Sequence, residues 1–144
     1  MCCDNEKTKE LSSKCSNSEE RQTVVVHNDD TYWGGWNRSK NIARTTINTN
    51  APLIIPHELG HSKFSLADEY TSGWWTTSSR NCDDEWCNKW IPWIGENEMS
   101  CIPNNCKDGN YYTAFESIMK SLSLPFGRNN EMISCCVFKE ENWQ

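Results

Sequence analysis

The residue types most able to do chemistry in this chain fall together at residues 57–61, HELGH. A helix advances about 100° per residue, so positions four apart share a face, and His57 and His61 present two imidazoles to one point. That is half of a zinc site. Glu58 lies one step around the helix, beside the metal position but poorly placed to join it, which suits a general base acting on a metal-activated water. Structural zinc is closed by four protein ligands, whereas catalytic zinc takes three and leaves a place for water. The motif reads as the open kind. The competing reading is a solvated amphipathic face on which His and Glu recur by chance. Against it, His57 and His61 are two of only three histidines in the chain, and the preceding residues 52–55, PLII, are apolar, as the approach to a buried helix would be.

A third ligand must come from outside the helix. Asp68, seven residues past His61, returns to the metal if the helix breaks near Ser65 and the chain turns back; Glu69 is the alternative. The remaining histidine, His27, ends a β-branched run and reads as a structural residue.

The string HELGHSKFSLADEY, residues 57–70, resembles the signature of the immunoglobulin-A-peptidase family of secreted zinc metallopeptidases, in which an HExGH helix is followed by a short turn and LADEY. Residues 23–35, TVVVHNDDTYWGG, resemble that family's core strand and its Asn-x-x-x-Tyr-x-Gly loop. Residues 116–130, ESIMKSLSLPFGRNN, resemble its methionine turn, which implies Met119 beneath the metal. The three motifs stand in the family's order across residues 20–138. The chain departs from the pattern at Ser65, where the family usually has glycine, and at Pro56, directly before the first ligand. The resemblance implies an α+β, zincin-like fold: a small twisted, largely parallel sheet, an active-site helix and an irregular, disulfide-rich C-terminal lobe. It also implies a sheet of about four or five strands.

The elements that must position these residues read as follows. Thr23–His27 is continuous and β-branched, which suits a strand buried on both faces. Residues 28–37, NDDTYWGGWN, carry Asx and Gly turn chemistry and read as a loop. Residues 41–48, NIARTTIN, alternate imperfectly and read as a short edge strand, to which the resemblance gives the role of binding substrate backbone by strand addition. Asn50 or Thr49 can cap a helix with Pro52 near its first turn, but Pro56 lacks an N–H and clashes with the carbonyl four residues back. The active helix is therefore expected to start or kink at Pro56 and to run to Leu66. Residues 71–110 read as an irregular lobe held by disulfides and indole packing, with Trp74, Trp75, Trp86, Trp90 and Trp93 either in the core or along a substrate cleft. In residues 111–122, Tyr112, Phe115, Ile118, Met119 and Leu122 have helical spacing; the resemblance favours the methionine turn.

At 144 residues the chain supports one domain. Residues 1–21 read as a mobile polar leader, and 22–144 as one metallopeptidase-like domain with an upper part, 22–67, and a lower part, 68–144. A net charge of −6 argues against a nucleic-acid partner, which needs clustered Lys and Arg. No apolar run approaches the roughly 20 residues of a membrane-spanning helix, and residues 1–20 show no secretory signal. Nine cysteines without zinc-finger spacing point to disulfides and a secreted, extracellular protein, with Cys82/Cys87 and Cys101/Cys106 as local pairs. The expected function is a zinc endopeptidase acting on a protein or peptide, with Zn²⁺ on His57, His61 and Asp68, and Glu58 as general base. Tyr70 and Tyr112 are candidates to stabilise the oxyanion. The alternative is a truncated, non-catalytic metal-binding or disulfide-rich interaction module.

Overall fold

Thr23–His27 (TVVVH) forms strand β1, as its β-branched run predicts. The computed structural model describes residues 4–15, 22–70, 79–95, 100–103, 106, 117–127 and 130–131. The chain is α+β and divides into two compact units, Met1–Lys63 and Phe64–Gln144.

In the first unit, β1 is joined by β2 (Gly34–Asn37) and β3 (Ile42–Thr46) in the order β1-β3-β2. β1 and β3 are parallel, with Val25 opposite Arg44; β2 and β3 are antiparallel, with Gly35 opposite Arg44. The sheet is therefore mixed rather than largely parallel. It has three strands among the described residues, and the last four residues of the expected 28–37 loop are one of them. A single turn of 3₁₀ helix at Arg38–Lys40 makes the β2–β3 reversal possible: Asn37 caps it through its side chain, and Asn41 takes the left-handed conformation at φ 51°, which Asn tolerates better than most residues.

The 41–48 segment is a correction. Its imperfect alternation suggests an edge, yet β3 is central, with Ile42, Ala43, Thr45 and Thr46 all buried. Two threonines can be buried there because their hydroxyls are satisfied, Thr46 Oγ1 donating to the Thr31 carbonyl at 2.6 Å and Thr45 Oγ1 to the Thr46 carbonyl at 3.4 Å. Among the described residues the edges fall instead to β1 and β2. Burial of β1 on both faces is overturned as well: Val24 and Val26, on one face, are 42% and 52% exposed.

Helix α1 (Asn5–Ser13) lies in the stretch expected to be a polar leader. It has no buried residue, and a local cap, a local ion pair and two contacts to the rest of the unit explain it. The Asp4 carboxylate accepts from the Glu6 and Lys7 amides at 2.9 and 3.2 Å, the N-cap arrangement that satisfies orphan donors. Glu10 and Lys14 pair at i,i+4, Lys40 pairs with Glu6, and Ser12 Oγ hydrogen-bonds Thr23 Oγ1 at 2.9 Å.

Helix α2 (Ala51–Ser62) starts and ends earlier than expected, with Asn50 as N-cap, Pro52 in the first turn and Pro56 inside. Pro56 deletes one hydrogen bond, to the Pro52 carbonyl, but the helix continues through it. Packing accounts for this: α2 lies against β3 and β2, and Ile54 is buried, so tertiary contact overrides the local cost.

The second unit has little regular structure among its described residues. A 3₁₀ turn, Ile91–Trp93, and two disulfides, Cys82–Cys106 and Cys87–Cys101, organise it. The pairing is nested, which corrects the local pairs 82/87 and 101/106. The chain leaves through Cys82 and Cys87 and returns through Cys101 and Cys106, and the Cα atoms of the observed pairs stand 6.1 and 6.2 Å apart. Sequence proximity gives no weight to that return, although longer loops constrain the unfolded chain more. Lys89 ties the disulfide loop by donating to the Ser79 carbonyl at 3.0 Å and to the Cys82 carbonyl; burial lowers its pKa, and the charge of Asp83 opposes that shift. Phe64, Leu66, Ile118 and Met119 form one apolar cluster, with Leu122 and Phe126 against it. Trp90 is buried with Cys87, whereas Trp86 and Trp93 are exposed.

Candidate metal centre

Four residues apart on α2, His57 and His61 bring their Nε2 atoms to 3.1 Å, with ring centroids 4.7 Å apart and the planes perpendicular. In metal-free protein one ring's Nε2–H can donate to the other's Nε2. Zn–N bonds of 2.0–2.1 Å at a tetrahedral angle would set the two nitrogens about 3.3 Å apart, so the observed pair fits joint ligation of one ion with little adjustment. His61 is buried, and the Trp36 indole of β2 lies over it at 5.4 Å, tilted by 37°. The end of the helix is anchored too: Ser62 Oγ donates to the Glu58 carbonyl at 2.9 Å and accepts from Gln22 Nε2 at 3.0 Å.

Glu58 is only 7% exposed. Its side chain runs so close to β2 that a Cβ on Gly34 would lie 2.3 Å from Glu58 Oε1 and 2.6 Å from Ile54 Cγ2. Gly34 is therefore the residue that lets the helix and its carboxylate approach the sheet. The sequence signal for it, a Gly-Gly pair, reads equally as a turn. His27 stays apart from this pair. It meets Trp33 edge to face at 5.7 Å, and its buried Nε2 makes no hydrogen bond among the described residues.

In the second unit the two adjacent carboxylates have different surroundings. Asp68 is partly exposed. Glu69 is fully buried and both of its carboxylate oxygens are engaged: Oε1 accepts from Asn81 Nδ2 at 3.2 Å and Asn130 Nδ2 at 3.4 Å, and Oε2 accepts from Ser117 Oγ. Burial raises the Glu69 pKa, and the bonds from Ser117, Asn81 and Asn130 oppose the rise. Ser117 Oγ also accepts from the Met119 amide at 3.0 Å and from Asn130 Nδ2 at 3.1 Å. Sequence reasoning found none of Asn81, Ser117 and Asn130, because no local spacing joins them.

Residues 118–120 form a turn, closed by the Lys120 and Ser121 amides on the Ser117 carbonyl at 2.9 and 3.1 Å, and Met119 is fully buried within it. Ser65, where glycine was the expected residue, adopts a left-handed φ of 61°. Tyr70 is exposed. Tyr112, Trp74 and Trp75 lie outside the described residues.

The sequence profile of the family described as IgA Peptidase M64 matches residues 1–95, a stretch that includes His57, Glu58, His61 and Asp68 but not Met119. No curated protein matches the chain.

Proposed function

This chain belongs to the IgA peptidase M64 family, and from that premise we propose that it is a zinc-dependent endopeptidase acting on protein or peptide substrates. The observation that carries the proposal is the His57–His61 pair, whose Nε2 atoms stand 3.1 Å apart on the helix that also carries Glu58. His57, His61 and Asp68 supply the two imidazoles and one carboxylate suited to an open metal site. Zinc, when bound, polarises the scissile carbonyl and brings the pKa of a water toward neutrality. Glu58 is the base that takes the proton of the attacking water and returns it to the leaving amine. Its burial and the close wall at Gly34 restrict the carboxylate's motion, so its oxygen is positioned before substrate arrives. Met119 would be the methionine-turn residue, a soft side chain that offers no hard ligand to compete with the imidazoles.

Two disulfides among the described residues support an extracellular location, and no described helix is long and apolar enough to cross a membrane.

Zinc content and peptide-library cleavage, measured with and without a chelator for wild type and Glu58→Gln, test the proposal. Zinc should bind at one ion per chain in both proteins. Cleavage by Glu58→Gln should fall roughly a hundred to ten thousand fold. Equal cleavage by the two proteins would remove Glu58 from the mechanism. Zinc binding without cleavage by either would leave a non-catalytic metal-binding module.

A further inference from the structure

Asp68 is a single residue between two residues whose backbone is held by groups from distant parts of the second unit, a side chain on one side and a backbone carbonyl on the other. On one side, the Asn81 amide grips both polar backbone atoms of Ala67: the Ala67 N–H donates to Asn81 Oδ1 at 2.7 Å, and Asn81 Nδ2 donates to the Ala67 carbonyl at 2.9 Å. On the other, the Glu69 N–H donates to the Met119 carbonyl at 2.9 Å. The same Asn81 Nδ2 reaches Glu69 Oε1, and Ser117 Oγ joins Glu69 Oε2 to the Met119 amide. Asn130 closes the group through Glu69, Ser117 and the Phe126 carbonyl, the last at 2.9 Å. All four side chains are buried, each is hydrogen-bonded within the group or to the backbone, and buried hydrogen-bonded networks rigidify what they touch.

We propose that Glu69, Asn81, Ser117 and Asn130 are positioning residues that fix the backbone on both sides of Asp68 and so hold its carboxylate ready to bind the metal. The inference rests on the reading of Asp68 as the third ligand. Asp68 follows a left-handed residue, Ser65, in a segment with no regular secondary structure. Such a segment has no ladder of its own to fix φ and ψ, and the network supplies that restraint. A ligand held in advance does not lose backbone freedom on binding, so its affinity is higher than that of a mobile carboxylate.

Zinc affinity, measured by chelator competition on the full chain, decides the question when combined with thermal unfolding of the metal-free protein. Asn81→Ala and Ser117→Ala should each lower affinity roughly 10- to 100-fold while the metal-free protein remains folded. Asp68→Asn should also lower it. Adding Asn81→Ala or Ser117→Ala to Asp68→Asn should cause no further loss, because residues that act through Asp68 have nothing left to position. Unchanged affinity in the folded single variants would overturn the inference. So would an undiminished further loss on top of Asp68→Asn. Wild-type affinity in Asp68→Asn would instead remove Asp68 from the ligand set, and the positioning role with it. If an alanine variant does not fold, Ser117→Thr and Ser117→Val carry the comparison, since they differ chiefly in the hydroxyl. Threonine should bind zinc more tightly than valine, and equal affinities would overturn the inference.

Discussion

Asp68 and Glu69 are neighbouring carboxylates, and their chemistry is set by what surrounds them. Glu69 has both oxygens hydrogen-bonded in a buried site, so its use as a metal ligand would require breaking that network. Asp68→Asn should therefore reduce zinc affinity by loss of a ligand, whereas Glu69→Gln should leave the ligand set intact and lower affinity by less, through the backbone it helps position, while also acting on stability. The pH dependence of stability gives Glu69 its own signature. Burial raises its folded pKa, so between the ordinary carboxylate range and the raised value the folded chain keeps a proton that the unfolded chain has released. Its contribution to stability is then fully present below the ordinary range and lost as pH rises through the raised value. Thermal unfolding of metal-free protein across that range should show wild type losing ground to Glu69→Gln as pH rises. Parallel curves for the two proteins would contradict this. The 57–61 motif was legible because i,i+4 spacing is local. The different surroundings of Asp68 and Glu69 were not, because the partners that engage Glu69 are Asn81, Ser117 and Asn130, up to 61 residues away.

For the elements, the same division holds between local and tertiary causes. Strand β1 was legible from a run of Val, whereas the start of α2 was legible only as a choice between Asn50 and Thr49, set against an expected start or kink at Pro56. The central place of β3 was not, since Arg44, Thr45 and Thr46 look solvated until both flanking strands and the Thr31 carbonyl are present. Helix α2 tolerates Pro56 for a like reason. Its fit against β2 should be sensitive to a single methyl group: in Gly34→Ala the new Cβ would meet Glu58 Oε1 and Ile54 Cγ2. The glutamate can swing away more easily than the helix can move. Cleavage should therefore fall with zinc retained, accompanied by an overpacking cost of about 1–3 kcal/mol; full activity in Gly34→Ala would argue against a positioned Glu58. The turn after α2 offers the opposite change. A left-handed non-glycine residue costs roughly 1–2 kcal/mol, and glycine's greater unfolded-state entropy takes back about 0.5–1 kcal/mol. Ser65→Gly should thus raise stability by about 0.5 kcal/mol, seen as a higher urea midpoint at an unchanged slope.

Over the whole molecule, cysteine usage indicated disulfides, but their connectivity depended on a chain reversal that no spacing encodes. The nested pairs occupy different surroundings, and this separates their expected effects. Cys82–Cys106 packs with Ala67 and directly follows Asn81, the residue that grips the Ala67 backbone. Cys87–Cys101 packs instead with Trp90. Their sequence separations of 24 and 14 residues give each bond about 3 kcal/mol of unfolded-state restraint, so loss of either should lower the unfolding temperature. Only the outer bond should also affect the metal. In Cys82→Ser/Cys106→Ser, the base under Ala67 loosens, Asn81 loses its fixed neighbour, and zinc affinity should fall together with stability. In Cys87→Ser/Cys101→Ser, the Trp90 loop loosens while the backbone around Asp68 keeps its hydrogen bonds, so stability should fall with zinc affinity maintained. Chelator competition and thermal unfolding on the two double variants measure both quantities. Equal zinc affinities in the two would mean that the disulfides act only through global stability, and that the backbone around Asp68 holds its place without Cys82–Cys106.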